Sequence, residues 1–80
     1  MNIIKEIRKA CRITNWEYYD QNHMDQLVNF FKEKMPVDLD QSIIEKEYAC
    51  FFIKESDEKE HTVAFRKVGE RFNCDFKLTL

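Results

Sequence analysis

Eighty residues with 44% hydrophobic and 14% aromatic content are enough to build one small core, so the chain reads as a single folded domain over 1–80 and not as a disordered segment. Charged residues make up 35% of it but nearly cancel, at net −2, which argues against the strongly basic coat of a general nucleic-acid binder. A single glycine excludes dinucleotide fingerprints, phosphate loops and G-x-S-x-G nucleophile elbows, since each needs several glycines for close backbone approach.

The spacing predicts a short amphipathic helix over 2–12. Ile3, Ile4, Ile7, Ala10 and Cys11 form one stripe of a 3.6-residue period, and Lys5, Arg8, Lys9 and Arg12 occupy the other side with Glu6. Thr14-Asn15-Trp16-Glu17 matches a capping box, a hydroxyl followed three positions later by Glu, and marks the start of a second helix. Trp16, Tyr19, His23, Leu27 and Phe30 make one helical stripe there, and Met24, Leu27, Val28, Phe31 and Met35 an overlapping one. This helix either runs unbroken to Lys34 or restarts at Asn22 after a turn in Tyr19-Asp20-Gln21. Lys32 and Lys34 suit the carboxyl end of its dipole, and Pro36 ends it.

Val37 to Gln41 is a connector carrying Asp38 and Asp40, and Ser42 to Lys54 reads as extended, with β-branched and aromatic residues concentrated in 48–53. Ser42 to Glu47 fits a helical turn equally well. Glu55 to Glu60 is a solvated hairpin loop. In the last twenty residues, Phe72, Cys74, Phe76, Leu78 and Leu80 alternate with Arg71, Asn73, Asp75, Lys77 and Thr79, the period of a strand with one buried face. Gly69-Glu70 is a two-residue hairpin loop, which pairs Val68 with Arg71, Phe65 with Cys74 and Val63 with Phe76. Val63 and Phe65 then join Phe72, Cys74, Phe76 and Leu78 inside. The expected class is α+β, two amino-terminal helices on a three-stranded antiparallel meander in the order α-α-β-β-β.

The strand over 48–53 has two apolar faces, Tyr48/Cys50/Phe52 and Ala49/Phe51/Ile53. Helices on one side of a meander cover only one of them. The other lies beside Arg66 and Lys77, covered either by this chain or by a partner.

Cys11, Cys50 and Cys74 contain no C-x-x-C pair, so neither a zinc knuckle nor a redox dithiol is written here. They read as buried structural thiols of a cytoplasmic protein, with the Cys50 and Cys74 strands too far apart for a disulfide. His23 sits in a helical aromatic stripe and His61 at the solvated start of a strand, and neither has the neighbours of a catalytic base. No catalytic residue, metal ligand or cofactor is expected, nor a membrane span, since no 18-residue apolar run exists.

Acidity is concentrated in 38–60, where Asp38, Asp40, Glu45, Glu47, Glu55, Asp57, Glu58 and Glu60 face Lys46, Lys54 and Lys59. Such a surface suits a basic partner, including a protein that normally holds nucleic acid. The expected function is therefore that of a small non-enzymatic interaction module, an inhibitor or modulator on the scale of those carried by phages and mobile elements. Its expected contacts are Glu55, Asp57, Glu58 and Glu60 of the acidic loop with Tyr48, Phe51 and Ile53 of the apolar strand. The alternatives are a nucleic-acid-associated regulator using the basic first helix, and a homodimeric structural subunit.

Overall fold

Ile3, Ile7, Ala10 and Cys11 recur at helical spacing, and Ile3–Thr14 forms helix α1. The structure, a computed structural model, describes residues 2–14 and 18–79, without the side chains of Ile13 and Thr14. Asn2 starts α1: its Oδ1 accepts the Lys5 N–H at 3.1 Å and its carbonyl the Glu6 N–H at 3.0 Å, which satisfies two of the donors that open every helix. Ile7, Ala10 and Cys11 are buried and Ile3 packs on the core.

Helix α2 spans Gln21–Lys34 and is a restart, not a continuation. Asp20 is extended at φ −138 and ψ 122 and accepts the Asn22 N–H on its side chain, so an acidic N-cap sets this boundary. The capping-box residues Asn15, Trp16 and Glu17 lie outside the described residues, and Thr14 closes α1. At the other end the Met35 N–H reaches Phe31 O at 3.1 Å, and Pro36 prevents a further turn.

Four strands follow: β1 (Ile43–Ile44), β2 (Tyr48–Lys54), β3 (Glu60–Val68) and β4 (Arg71–Lys77), in sheet order β1-β2-β3-β4 with every pair antiparallel. The sheet thus has four strands in place of the expected three. The added strand comes from the stretch that fitted a strand or a helical turn, and pairing decides between them: Ile43 lies opposite Cys50 and Ile44 opposite Ala49. The segment before it is stitched to the same edge of β2. Lys54 N–H donates to Pro36 O at 3.0 Å, Asp38 N–H to Phe52 O at 2.7 Å, and Phe52 N–H to Ser42 Oγ at 3.1 Å. Residues 36–45 therefore cap that edge with a turn and one short strand, which leaves little regular ladder for unwanted pairing.

The β3–β4 register is the one that the two-residue loop demands, with Val68 opposite Arg71, Phe65 opposite Cys74 and Val63 opposite Phe76. Gly69 has φ +63 and no other described residue has positive φ except this glycine, so the loop has the left-handed residue first, as in a type II′ turn. A Cβ at Gly69 would meet nothing within 4 Å. Gly69→Ala is therefore expected to cost about 1 kcal/mol through backbone strain alone, read as a lower urea midpoint with unchanged slope.

Both helices lie on one face of the sheet. Phe31 of α2 stacks on Phe51 at 5.1 Å between centroids and sits 5.3 Å from Phe65, which is 6.3 Å from Phe72. Those four rings are fully buried and form the centre of the core. Cys11 of α1 and Cys74 of β4 are joined in a disulfide with Cα atoms 5.2 Å apart. This corrects the expectation of three reduced thiols, which holds for the buried Cys50 alone. Sixty-three positions separate the bonded pair, and only packing α1 onto β4 brings them together.

Two side-chain placements change as well. Phe76 is on the helix-facing side of β4 yet 44% exposed, because the cover that α1 gives at Cys74 does not extend to it. His61, expected at a solvated strand start, is fully buried. Its Nδ1 accepts the Thr79 N–H at 3.0 Å and its Nε2 faces Glu55 Oε1 at 3.7 Å, so the chain after β4 folds over it.

Candidate interaction surface

Pairing register fixes which side of each strand faces away from the helices. Ala49, Phe51 and Ile53 are fully buried, with Phe51 stacked on Phe31 of α2, so Tyr48, Cys50 and Phe52 occupy the other face. Cross-strand partners share a face: Tyr48 meets Arg66, Cys50 meets Ala64 on one side and Ile43 on the other, and Phe52 meets Thr62. Across β3, Arg66, Ala64 and Thr62 lead to Asn73, Asp75 and Lys77 of β4. The outer face is thus an apolar stripe of Ile43, Tyr48, Cys50, Phe52 and Ala64, bordered by polar side chains on β4.

Among the described residues no helix covers this face. Ile43 is 44% exposed, Tyr48 and Phe52 are half-buried, and Cys50 is enclosed by its larger neighbours. The Tyr48 hydroxyl is held above the ordinary tyrosine range, first by its hydrogen bond with Cys50 and then by burial. Asp75 pairs with Arg66 at 3.2 Å, both well exposed, a contact worth at most about 1 kcal/mol. It fixes side-chain positions on the stripe's border more than it stabilises the fold.

The structure separates the expected contact residues into three groups. Tyr48 is on the outer face and reachable. Phe51 and Ile53 are at 0% exposure in the core, which removes them as contact residues; Phe52, Ile43 and Leu39 are the accessible apolar groups in their place. Sequence alone carried no signal for the exchange, because residues 48–53 are apolar on both faces. The acidic residues Glu55, Asp57, Glu58 and Glu60 do lie together, in and beside the loop joining β2 to β3. Glu55 is engaged with Lys59 at 3.9 Å and faces His61, and half-buried Glu60 lies opposite Lys54. Asp57 and Glu58 are exposed and make no ion pair among the described residues.

A second acidic cluster borders β1. The Asp38 carboxylate gathers the Gln41 side-chain N–H at 2.7 Å and the Asp40 and Gln41 backbone N–H groups at 3.1 and 3.4 Å. These bonds, the Gln41 side chain first, hold its pKa below the ordinary aspartate range. A carboxyl with a depressed folded pKa adds stability above its unfolded value and loses it as pH falls through the folded one. The turn at 38–41 is therefore expected to loosen on acidification, seen as smaller protection factors at the Asp40 and Gln41 amides once intrinsic exchange rates at each pH are divided out; unchanged protection at acid pH would contradict it.

Among the described residues no group of three or more His, Cys, Asp or Glu could hold a metal ion, and no helix is long and apolar enough to cross a membrane. No family model, curated protein or solved structure matches the chain.

Proposed function

We propose that this chain is a non-enzymatic interaction module that binds a partner protein with a basic surface. The contact is made by the outer face of β2, through Tyr48 and Phe52, with the acidic loop of Glu55, Asp57, Glu58 and Glu60 at its border. One observation carries the reading: the sheet face turned away from both helices bears an apolar stripe along β2, next to the most acidic part of the chain. Apolar stripes rimmed by charge are how stable contacts are built, the apolar part supplying affinity and the charges steering approach. An inhibitor or modulator of a basic, nucleic-acid-handling protein would have this size and sign of charge.

The test compares tagged wild-type protein with Tyr48→Asp and Phe52→Asp in capture from nuclease-treated lysate. Both variants are expected to keep the native fold, within about 1 kcal/mol for half-exposed positions, and to lose the captured partner. Phe51→Asp, two strand faces apart by a single residue, is expected to unfold the protein because a charge would enter the core. Undiminished capture by folded Phe52→Asp sinks the reading.

The basic helix supports a second reading. Lys5, Arg8, Lys9 and Arg12 make none of the ion pairs among the described residues, and unneutralised cations on one helix face suit phosphates. Binding to an oligonucleotide would then weaken steeply between about 50 and 200 mM salt, whereas a contact on the apolar stripe would change little.

A further inference from the structure

The sheet order separates the charges of this molecule. β1 and β4 are the two edges, three strand spacings or roughly 14 Å apart. Helix α1 is bonded to β4 through Cys11–Cys74, so Lys5, Arg8, Lys9 and Arg12, with Glu6 alone against them, belong to the β4 side. β4 itself adds Arg71 and Lys77 against Asp75. On the opposite side, β1 and the turns that flank it carry Asp38, Asp40, Glu45 and Glu47 against Lys46, with Glu47 also paired to Lys67 of β3 at 3.7 Å. Each side also exposes apolar groups: Leu39 at 54%, Ile43 at 44% and Ile44 at 42% at the acidic edge, and Phe76 at 44% on the basic one.

We propose that a second copy of this chain docks on the acidic β1 edge through its own basic α1–β4 side, so that copies associate head to tail. The proposal rests on reading the 38–60 region as a contact surface and names one occupant for it. Like-with-like pairing is disfavoured at either edge: two β1 edges would oppose carboxylates, and two α1 faces would oppose lysines and arginines. Basic edge on acidic edge opposes unlike charge and covers Phe76 and the Leu39, Ile43 and Ile44 cluster together. Such a contact uses different patches on the two copies, so it extends to open chains or closes as a ring, and does not stop at a two-fold dimer. Edges this small give a weak, reversible contact.

Sedimentation equilibrium of the wild-type protein over rising concentration tests it. The average mass is expected to climb above the 9.8 kDa of one chain in about 50 mM salt and to return towards it in about 500 mM salt, with at least a tenfold weaker association. Lys5→Glu with Arg8→Glu, and separately Asp40→Lys with Glu45→Lys, should each leave a folded monomer. Mixed in equal amounts the two should associate again, since each then offers the edge that the other lacks. A wild-type mass of one chain at every concentration in low salt overturns the proposal, as does association of both variants alone at wild-type strength. Either result leaves the capture experiment with Phe52→Asp to judge the interaction-module reading independently.

Discussion

Replacing Cys11 or Cys74 with alanine is expected to lower the stability of the oxidised protein by about 4 kcal/mol, the loop-closure entropy restored to an unfolded chain when a tie of this span is cut. The bonded residues are 63 positions apart, so the tie closes most of the chain. A domain of this size has a total stability of only about 5–12 kcal/mol, and the loss should appear as a fall in Tm of roughly 15–30 °C. The double variant should melt where either single one does, since one substitution already removes the bond. A dithiol reductant should lower the wild type to the same temperature and leave the double variant unmoved. A wild-type Tm that ignores reductant would show that the bond contributes nothing. Cys50 offers no substitute partner: it lies on the outer face, across β3 from the strand of Cys74. The bond would persist in an oxidising compartment and be open in a reducing one, so the same chain would differ in stability by this amount between the two.

The second large effect is expected at Phe31. Its ring is fully buried, stacked on Phe51 and within 5.3 Å of Phe65, and it edges against Phe30 at 5.5 Å. Phe31→Ala removes the ring that joins α2 to the middle of the sheet and is expected to cost about 3–5 kcal/mol. Phe52→Ala, the same chemical change on the outer face, should cost about 1 kcal/mol or less because the ring is half-exposed and leaves no enclosed cavity. Chemical denaturation of the two variants side by side measures the difference. Comparable losses would mean that Phe52 is as much a core residue as Phe31, and the outer face would then lose its standing as a contact surface.

How much of this was legible depended on the length of the connections. The β3–β4 hairpin was readable to the residue because Gly69-Glu70 allows only one pairing and one apolar face for it. The loop of 55–59 between β2 and β3 is long enough to permit several registers, so nothing local assigned Phe51 to the core and Phe52 to the surface. Helix α1 was readable from the spacing of its isoleucines. The start of α2 was not, because two signals competed and the Asp20 cap at Gln21 set the boundary. β1 is two residues long, too short for periodicity to distinguish a strand from a turn, and exists through its pairing with β2 and the Asp38–Ser42 turn.

The sequence by itself determined the α+β class, the final hairpin with its register, the amphipathic stripe of α1, the Met24, Leu27 and Phe31 stripe of α2, and the concentration of acid in 38–60. Those properties are local: each follows from periodicity, a cap or a tight loop acting over a few residues. Tertiary structure decided the fourth strand, the Cys11–Cys74 bond, the burial of His61 and which side of β2 remains outside. It also set the opposite charge of the two sheet edges. Those depend on contacts between residues far apart in the chain, whose formation is governed by how whole faces pack and not by any preference that a short stretch of residues carries.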